Sequence, residues 1–296
     1  MRHDTDRRFA KLSSLALVAA LTGSAACNQR QDTKSRESAV SESRRTTSSG
    51  PGLAGKLRDD LSQPLARKQV LACMSTICLF GETDSAGDFF FPIEHPAEVA
   101  LKTPEDLSVF PRRGAALLPV RIAGTSPINV GDVYVPLLPD GVPIGPASKD
   151  PQTVAVGDGL ELTLRRANLT PRAGDTLVDA AARLIPVEQR SSLAALVQEP
   201  VVAVYALHPF GAHSRSPIAV RAALNLPSGT RVNFRTIDEI DGHFSVPVPG
   251  VANGQTVETL PSVGIVELTW LVISTPSPSV PTRTSNNGVR LSGGGR

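Results

Sequence analysis

The 296-residue chain has few of the side chains that enzymes and ligand readers rely on. It contains one Trp, two Tyr, five His and three Cys. Twelve aromatics leave little from which to build the exposed ring platforms that read sugar faces. Tyr134, Tyr205 and the Phe89, Phe90, Phe91 run are the only candidates, and Trp270 falls on a core-facing position of a patterned strand. The sequence contains no phosphate-cradling glycine loop, no G-x-S-x-G elbow and no H-E-x-x-H helix. We therefore expect no cofactor and no catalysis. A concave pocket holding converging His and carboxylate groups would argue the other way.

The few histidines do not pair up by spacing. His95, His208, His213 and His243 follow the leader, and the closest two are separated by a Pro-Phe-Gly turn. They are expected as loop or surface residues rather than metal ligands. The acid pairs Asp59-Asp60 and Glu105-Asp106 are expected to be solvated. Asp84 and Asp88 lack the spacing of a calcium loop, so no metal is expected there.

A dominant charge is missing too. The formal net charge is +2, but the leader removes four basic and two acidic residues and leaves the remainder balanced. Between residues 51 and 273 there are 18 basic and 23 acidic residues, a mildly acidic body that excludes a nucleic-acid partner.

Nor is there an apolar run of the ~20 residues that a spanning helix needs. The strongest run, LSSLALVAALTGSAAC over residues 12–27, follows the basic MRHDTDRRFAK and ends on small residues, as signal peptides do. Its close, Ser24-Ala25-Ala26-Cys27, resembles the lipobox of bacterial lipoproteins. That resemblance implies a signal peptide over 1–26, acylation of Cys27 and attachment to the membrane through the lipid. The alternative is an ordinary secretory signal cut nearby, and both export the chain. The implied location is the bacterial cell envelope, at the outer membrane or cell surface rather than the inner membrane.

Export changes how the other two cysteines read. In an oxidising compartment Cys73 and Cys78 invite a disulfide, with free or metal-bound thiols as the alternative.

Residues 27–52 are rich in Ser, Thr, Arg and Glu, with one larger aliphatic, Val40, between Asn28 and Gly50. They are expected to form a flexible linker, because they have little apolar surface to set against ordering entropy. Leu53, Leu57 and Leu61 suggest a short amphipathic helix interrupted by Pro64. Within 53–125 comes Thr83-Asp84-Ser85-Ala86-Gly87-Asp88-Phe89-Phe90-Phe91. Gly87 suits the positive φ of a tight turn, Asp84 can close that turn, and Phe89 and Phe91 share one face of the outgoing strand. The stretch resembles the T-D-x-x-G-x-F-x-F hairpin of carboxypeptidase regulatory-like domains, which implies a transthyretin-like β-sandwich.

Period-two patterning dominates residues 126–273. Leu160, Leu162 and Leu164 alternate with Glu161 and Thr163; Val133, Val135 and Leu137 alternate with Tyr134, Pro136 and Leu138, and Pro136 places that strand at an edge or bulge. DTLVDAAARL over 175–184 suggests a turn or two of helix. Residues 201–207 form a continuous apolar strand, Ile218, Val220 and Ala222 share a face, and Val232 and Phe234 alternate with polar neighbours. Phe244, Val246 and Val248 suggest a strand after the Asp241-Gly242 turn, and Val266, Leu268, Trp270 and Val272 suggest one face of a last strand, with Glu267 and Thr269 outward. With turns at 227–229, 241–242, 249–250 and 253–254, this block resembles the Ig-like sandwiches of bacterial surface proteins. Residues 274–296, rich in Ser, Pro and Gly, are expected to be a disordered tail.

The expectation is an all-β protein of antiparallel β-sandwiches, exported, non-catalytic and lipid-anchored. Its partners would be the membrane, through the lipid, and another envelope protein, with polysaccharide as the alternative.

Overall fold

The computed structural model describes residues 51–277 apart from 125, 191, 192, 194 and 195, all within one compact unit, Thr47–Arg296. The leader, Cys27, most of the 27–52 linker and the chain beyond 277 lie outside the described residues.

Among the described residues the protein is all-β, with a few percent of helix that includes the short turns Arg166–Asn168 and Val187–Gln189. Seven strands come first: β1 (Gly52–Asp59), β2 (Gln69–Met74), β3 (Ile77–Glu82), β4 (Asp88–Pro92), β5 (Ala97–Lys102), β6 (Leu117–Ile122) and β7 (Ile128–Val135). They form a sheet ordered β4-β1-β7 and another ordered β3-β2-β5-β6. Only β1 and β7 run parallel among the described pairs, with a register shift between Ala54 and Lys56. β7 is an edge strand, as expected, but it ends at Val135, one residue before Pro136.

The region around Leu53 is a strand and not the expected helix. A four-residue spacing fits both periods: Leu53 and Leu57 are one helical turn apart, and they also share a strand face. Both are fully buried, whereas Leu61 is exposed. The backbone supplies the deciding constraint. A Cβ on Gly55 would lie 2.6 Å from the Phe89 ring, so β1 lies flat against β4 only because Gly stands there.

Twelve strands follow: β8 (Val142–Pro143), β9 (Gln152–Gly157), β10 (Leu160–Leu164), β11 (Leu169–Thr170), β12 (Asp179–Leu184), β13 (Val201–His208), β14 (Ala212–Ala222), β15 (Arg231–Thr236), β16 (Val248–Ala252), β17 (Val257–Thr259), β18 (Ile265–Leu268) and β19 (Trp270–Ser274). They make one large sheet, β8-β12-β13-β19-β15-β16-β17-β14-β10-β9, with β11 and β18 also on β14. The sheet curls back on itself: the β9–β10 turn meets β12, where the Leu184 amide donates to Asp158 Oδ2 at 2.7 Å. Its interior holds Leu160, Leu162, Leu164, Tyr205, Phe234 and Leu271 among others.

β13 and β19 are buried on both faces. Leu271 and Ile273 point into the large sandwich, while Trp270 and Val272 join Leu53, Phe91, Leu101 and Leu117 in a second core. This explains why residues 201–207 read as unbroken apolar sequence.

Three other expectations are corrected. Residues 179–184 form β12 rather than helix: Ala180, Ala181 and Ala182 are all buried between neighbouring strands, and that burial outweighs their helix propensity. The strand expected over 244–248 begins only at Val248, and Val246 is exposed. The last strand is broken at Thr269 into β18 and β19, which pair with different neighbours; Val266 is exposed, and Glu267 and Thr269 are buried rather than outward. The folded chain also runs past residue 274, since Ser274 is fully buried and the Thr275 amide donates to Pro200.

Candidate functional site

A cleft of about 750 Å³ lies where the β5–β6 loop meets β12 and the β13–β14 turn. The loop, residues 103–116, is closed at its base by local bonding. The Thr103 amide donates to the Ala116 carbonyl, the Ala116 amide donates to Thr103 Oγ1, and Asp106 and Arg113 exchange both backbone bonds. Its tip therefore stands out as a wall bearing Leu107, Ser108 and Arg112.

His208 is the last residue of β13 and lies on the floor of the cleft, 3% exposed. It shares a strand face with Val204 and Ala206, so alternation aims it inward. Its Nδ1 is 2.9 Å from both Glu105 carboxylate oxygens, and its Nε2 is 2.9 Å from Asp179 Oδ1. Arg112 Nη1 in turn donates to Asp179 Oδ2 at 2.8 Å, and the Phe210 amide donates to Glu105 at 3.3 Å. Burial works to raise the Asp179 carboxyl, but hydrogen bonds from Arg112 and His208 outweigh it and hold the group below the usual carboxylate range. Gly141 is required beside them, because a Cβ there would land on Asp179 Oδ2.

Beside this cluster sits a second one. Lys102 Nζ, nearly buried, donates to the Glu239 carbonyl at 2.5 Å and approaches Glu239 Oε2 at 3.4 Å, and burial lowers its pKa. Arg172, on the opposite rim of the cleft, reaches the same carboxylate at 3.6 Å. Glu267 is 8% exposed; burial, with Asp238 and Glu239 nearby, pushes its carboxyl up to about 7. Farther along β5, the exposed His243 lies between Glu98, at 2.5 Å, and Asp241, at 2.9 Å. Residues 98–112 are thus tied to the rest of the body by five polar contacts: Glu98–His243, Lys102–Glu239, Glu105–His208, Asp106–Lys68 and Arg112–Asp179.

The sequence expectation missed this arrangement. His208 is buried rather than on the surface, Glu105 is mostly buried, and Asp60 is buried against Arg183 and the Leu137 amide. The one available signal was His208 continuing the inward alternation of residues 204 and 206. His95, His213 and His243 are exposed.

The motif residues form a local structure of their own. Asp84 Oδ1 accepts from the Ala86 and Asp88 amides at 2.8 and 2.9 Å, and Gly87 takes φ +79°. Thr83 Oγ1 donates to the Leu65 carbonyl, while Phe89 and Phe91 are buried side by side. The flanking strands do not form the expected hairpin, however: β3 and β4 belong to different sheets, so the turn is a corner between layers. Cys73 and Cys78 are joined in a disulfide and face each other across the β2–β3 hairpin. The sugar-platform candidates fare poorly, since Tyr205 is fully buried, Tyr134 half-buried and Trp270 in the core. Among the described residues no group of His, Cys, Asp and Glu is arranged to hold a metal ion, and no helix is long and apolar enough to cross a membrane.

Neither protein-family models nor curated proteins gave a match to this chain.

Proposed function

We propose that the chain is an exported bacterial envelope lipoprotein, held by an acylated Cys27, whose β-sandwich body binds an envelope partner through the cleft without catalysis. The observation that carries the reading is the state of His208. Both ring nitrogens face carboxylates at 2.9 Å, so with Glu105 and Asp179 in place the cleft's one histidine presents neither nitrogen to a substrate. Ser108, the hydroxyl on the loop wall, donates to Asp106 Oδ1 at 2.8 Å rather than to a histidine. What remains accessible is a polar cleft with apolar shoulders, Leu107 and the 65%-exposed Val178, which suits recognition.

The export half of the reading is supported by the leader sequence and by the Cys73–Cys78 disulfide, which belongs in an oxidising compartment. The closed Asp84–Gly87 turn and the paired Phe89 and Phe91 support the likeness to carboxypeptidase regulatory-like domains. A photo-cross-linking residue placed at Val178 in living cells tests the binding half. A discrete adduct, lost when Asp175 and Arg172 are both changed to Ala, is the expected result; only diffuse labelling would refute it.

The convergence of His208 with two carboxylates favours a second reading, acid–base catalysis, which requires Glu105 to leave Nδ1. It predicts turnover of an envelope polymer that His208→Gln abolishes.

A further inference from the structure

We propose that Glu105, His208 and Asp179 form a proton-dependent clasp that holds the 103–116 loop, and with it one wall of the cleft, against the sandwich. A role in controlling access rests on the cleft being the binding site. The clasp itself does not.

An imidazole that donates from both nitrogens carries a hydrogen on each, and that imidazolium satisfies Glu105 and Asp179 at once. With Arg112 on Asp179, two positive and two negative charges balance in a mostly buried group. Loss of one ring proton leaves a lone pair facing a carboxylate oxygen 2.9 Å away with no hydrogen between them. One partner must then retreat. Asp179 opens β12, which is paired on one side with β8 and on the other with β13, and is braced by Arg112. Glu105 sits in a loop, so Glu105 gives way and the wall moves. The cluster is also faced by Arg112 from the loop, by Arg172 and Asp175 from the opposite rim, and by Lys102, Glu239 and Glu267 behind the Phe210 turn.

The protein carries its own reporter. Trp270, the chain's single Trp, donates from Nε1 to the carbonyl of Ala115, near the end of the same loop. Its emission in the full chain is followed over about pH 5 to 9, the range in which histidine titrates. The expected result is an inflection that vanishes in His208→Gln, vanishes also in Glu105→Gln because an amide can pair with Nδ1 whether or not that nitrogen carries a hydrogen, and stays in place in His243→Gln and Glu267→Gln. A flat profile in the unmodified chain, or the same inflection in all four variants, overturns the clasp. If His208→Gln does not fold, persistence of the inflection in Glu105→Gln overturns it alone. A titrating clasp with no adduct at Val178 would refute the binding reading and leave the clasp standing; an adduct without the inflection would do the reverse.

Discussion

Trp270 and Ala115 are joined by a 2.8 Å hydrogen bond, indole N–H to backbone carbonyl, across 155 residues of sequence. The bond fixes the base of the cleft loop to the strand that both cores share. Phe at position 270 keeps most of the apolar contact but cannot donate, which leaves a buried carbonyl unpaired. We expect Trp270→Phe to cost about 1–3 kcal/mol, measured as a shift in the urea midpoint by circular dichroism. An unchanged midpoint would mean that the loop is held without this bond.

Glu267 makes folding pH-dependent. Its carboxyl is pushed up to about 7 by burial, above the value of an unfolded Glu. An acid whose folded pKa is raised costs nothing where both states are protonated, costs more as pH climbs from the unfolded value, and reaches its full penalty above the folded one. Glu267→Gln is therefore expected to leave stability near pH 4 unchanged and to raise it near pH 8, by on the order of 2 kcal/mol. Paired denaturation curves at the two pH values decide it; equal effects at both would contradict the assignment.

Gly141 is the glycine that the ionic floor depends on. A methyl there displaces Asp179 from Arg112 and His208. Gly141→Ala should fold, at a loss of about 1–3 kcal/mol for the disturbed charged hydrogen bonds. It should also abolish the His208-dependent change in Trp270 emission. Retention of that change would show that Asp179 is not part of the clasp.

The disulfide closes a short loop, and its contribution should be correspondingly small. With four residues between Cys73 and Cys78, loop-closure entropy gives about 2 kcal/mol. The double Cys73→Ala, Cys78→Ala variant, compared by guanidinium unfolding, should lose that much. A loss well beyond ~4 kcal/mol would mean that the bond also holds the β5 seam behind it.

The sequence was most legible where a strand buries one face. Leu160, Leu162 and Leu164 lie inside the sandwich with Glu161 and Thr163 half-exposed, as the alternation requires. The two-sided burial of β13 was likewise visible in its unbroken apolar run. Misreadings arose where a long-range partner overrode a local preference. Residues 179–184 have the composition of a helix but occupy a slot between β8 and β13. Thr269 shows no local sign of the break that separates β18 from β19. The cleft was illegible for a related reason: Glu105, Asp179 and His208 come from a loop and two strand ends far apart in sequence, and each taken alone is an ordinary polar residue. Only His208's place in the alternation of β13 hinted at burial.

Mass spectrometry of the mature N-terminus tests the account most directly. Export with lipid anchoring predicts that the first residue is Cys27, carrying acyl chains, in protein recovered with the membrane and with Cys73 and Cys78 oxidised. An intact Met1 on a cytosolic chain with reduced cysteines would contradict it.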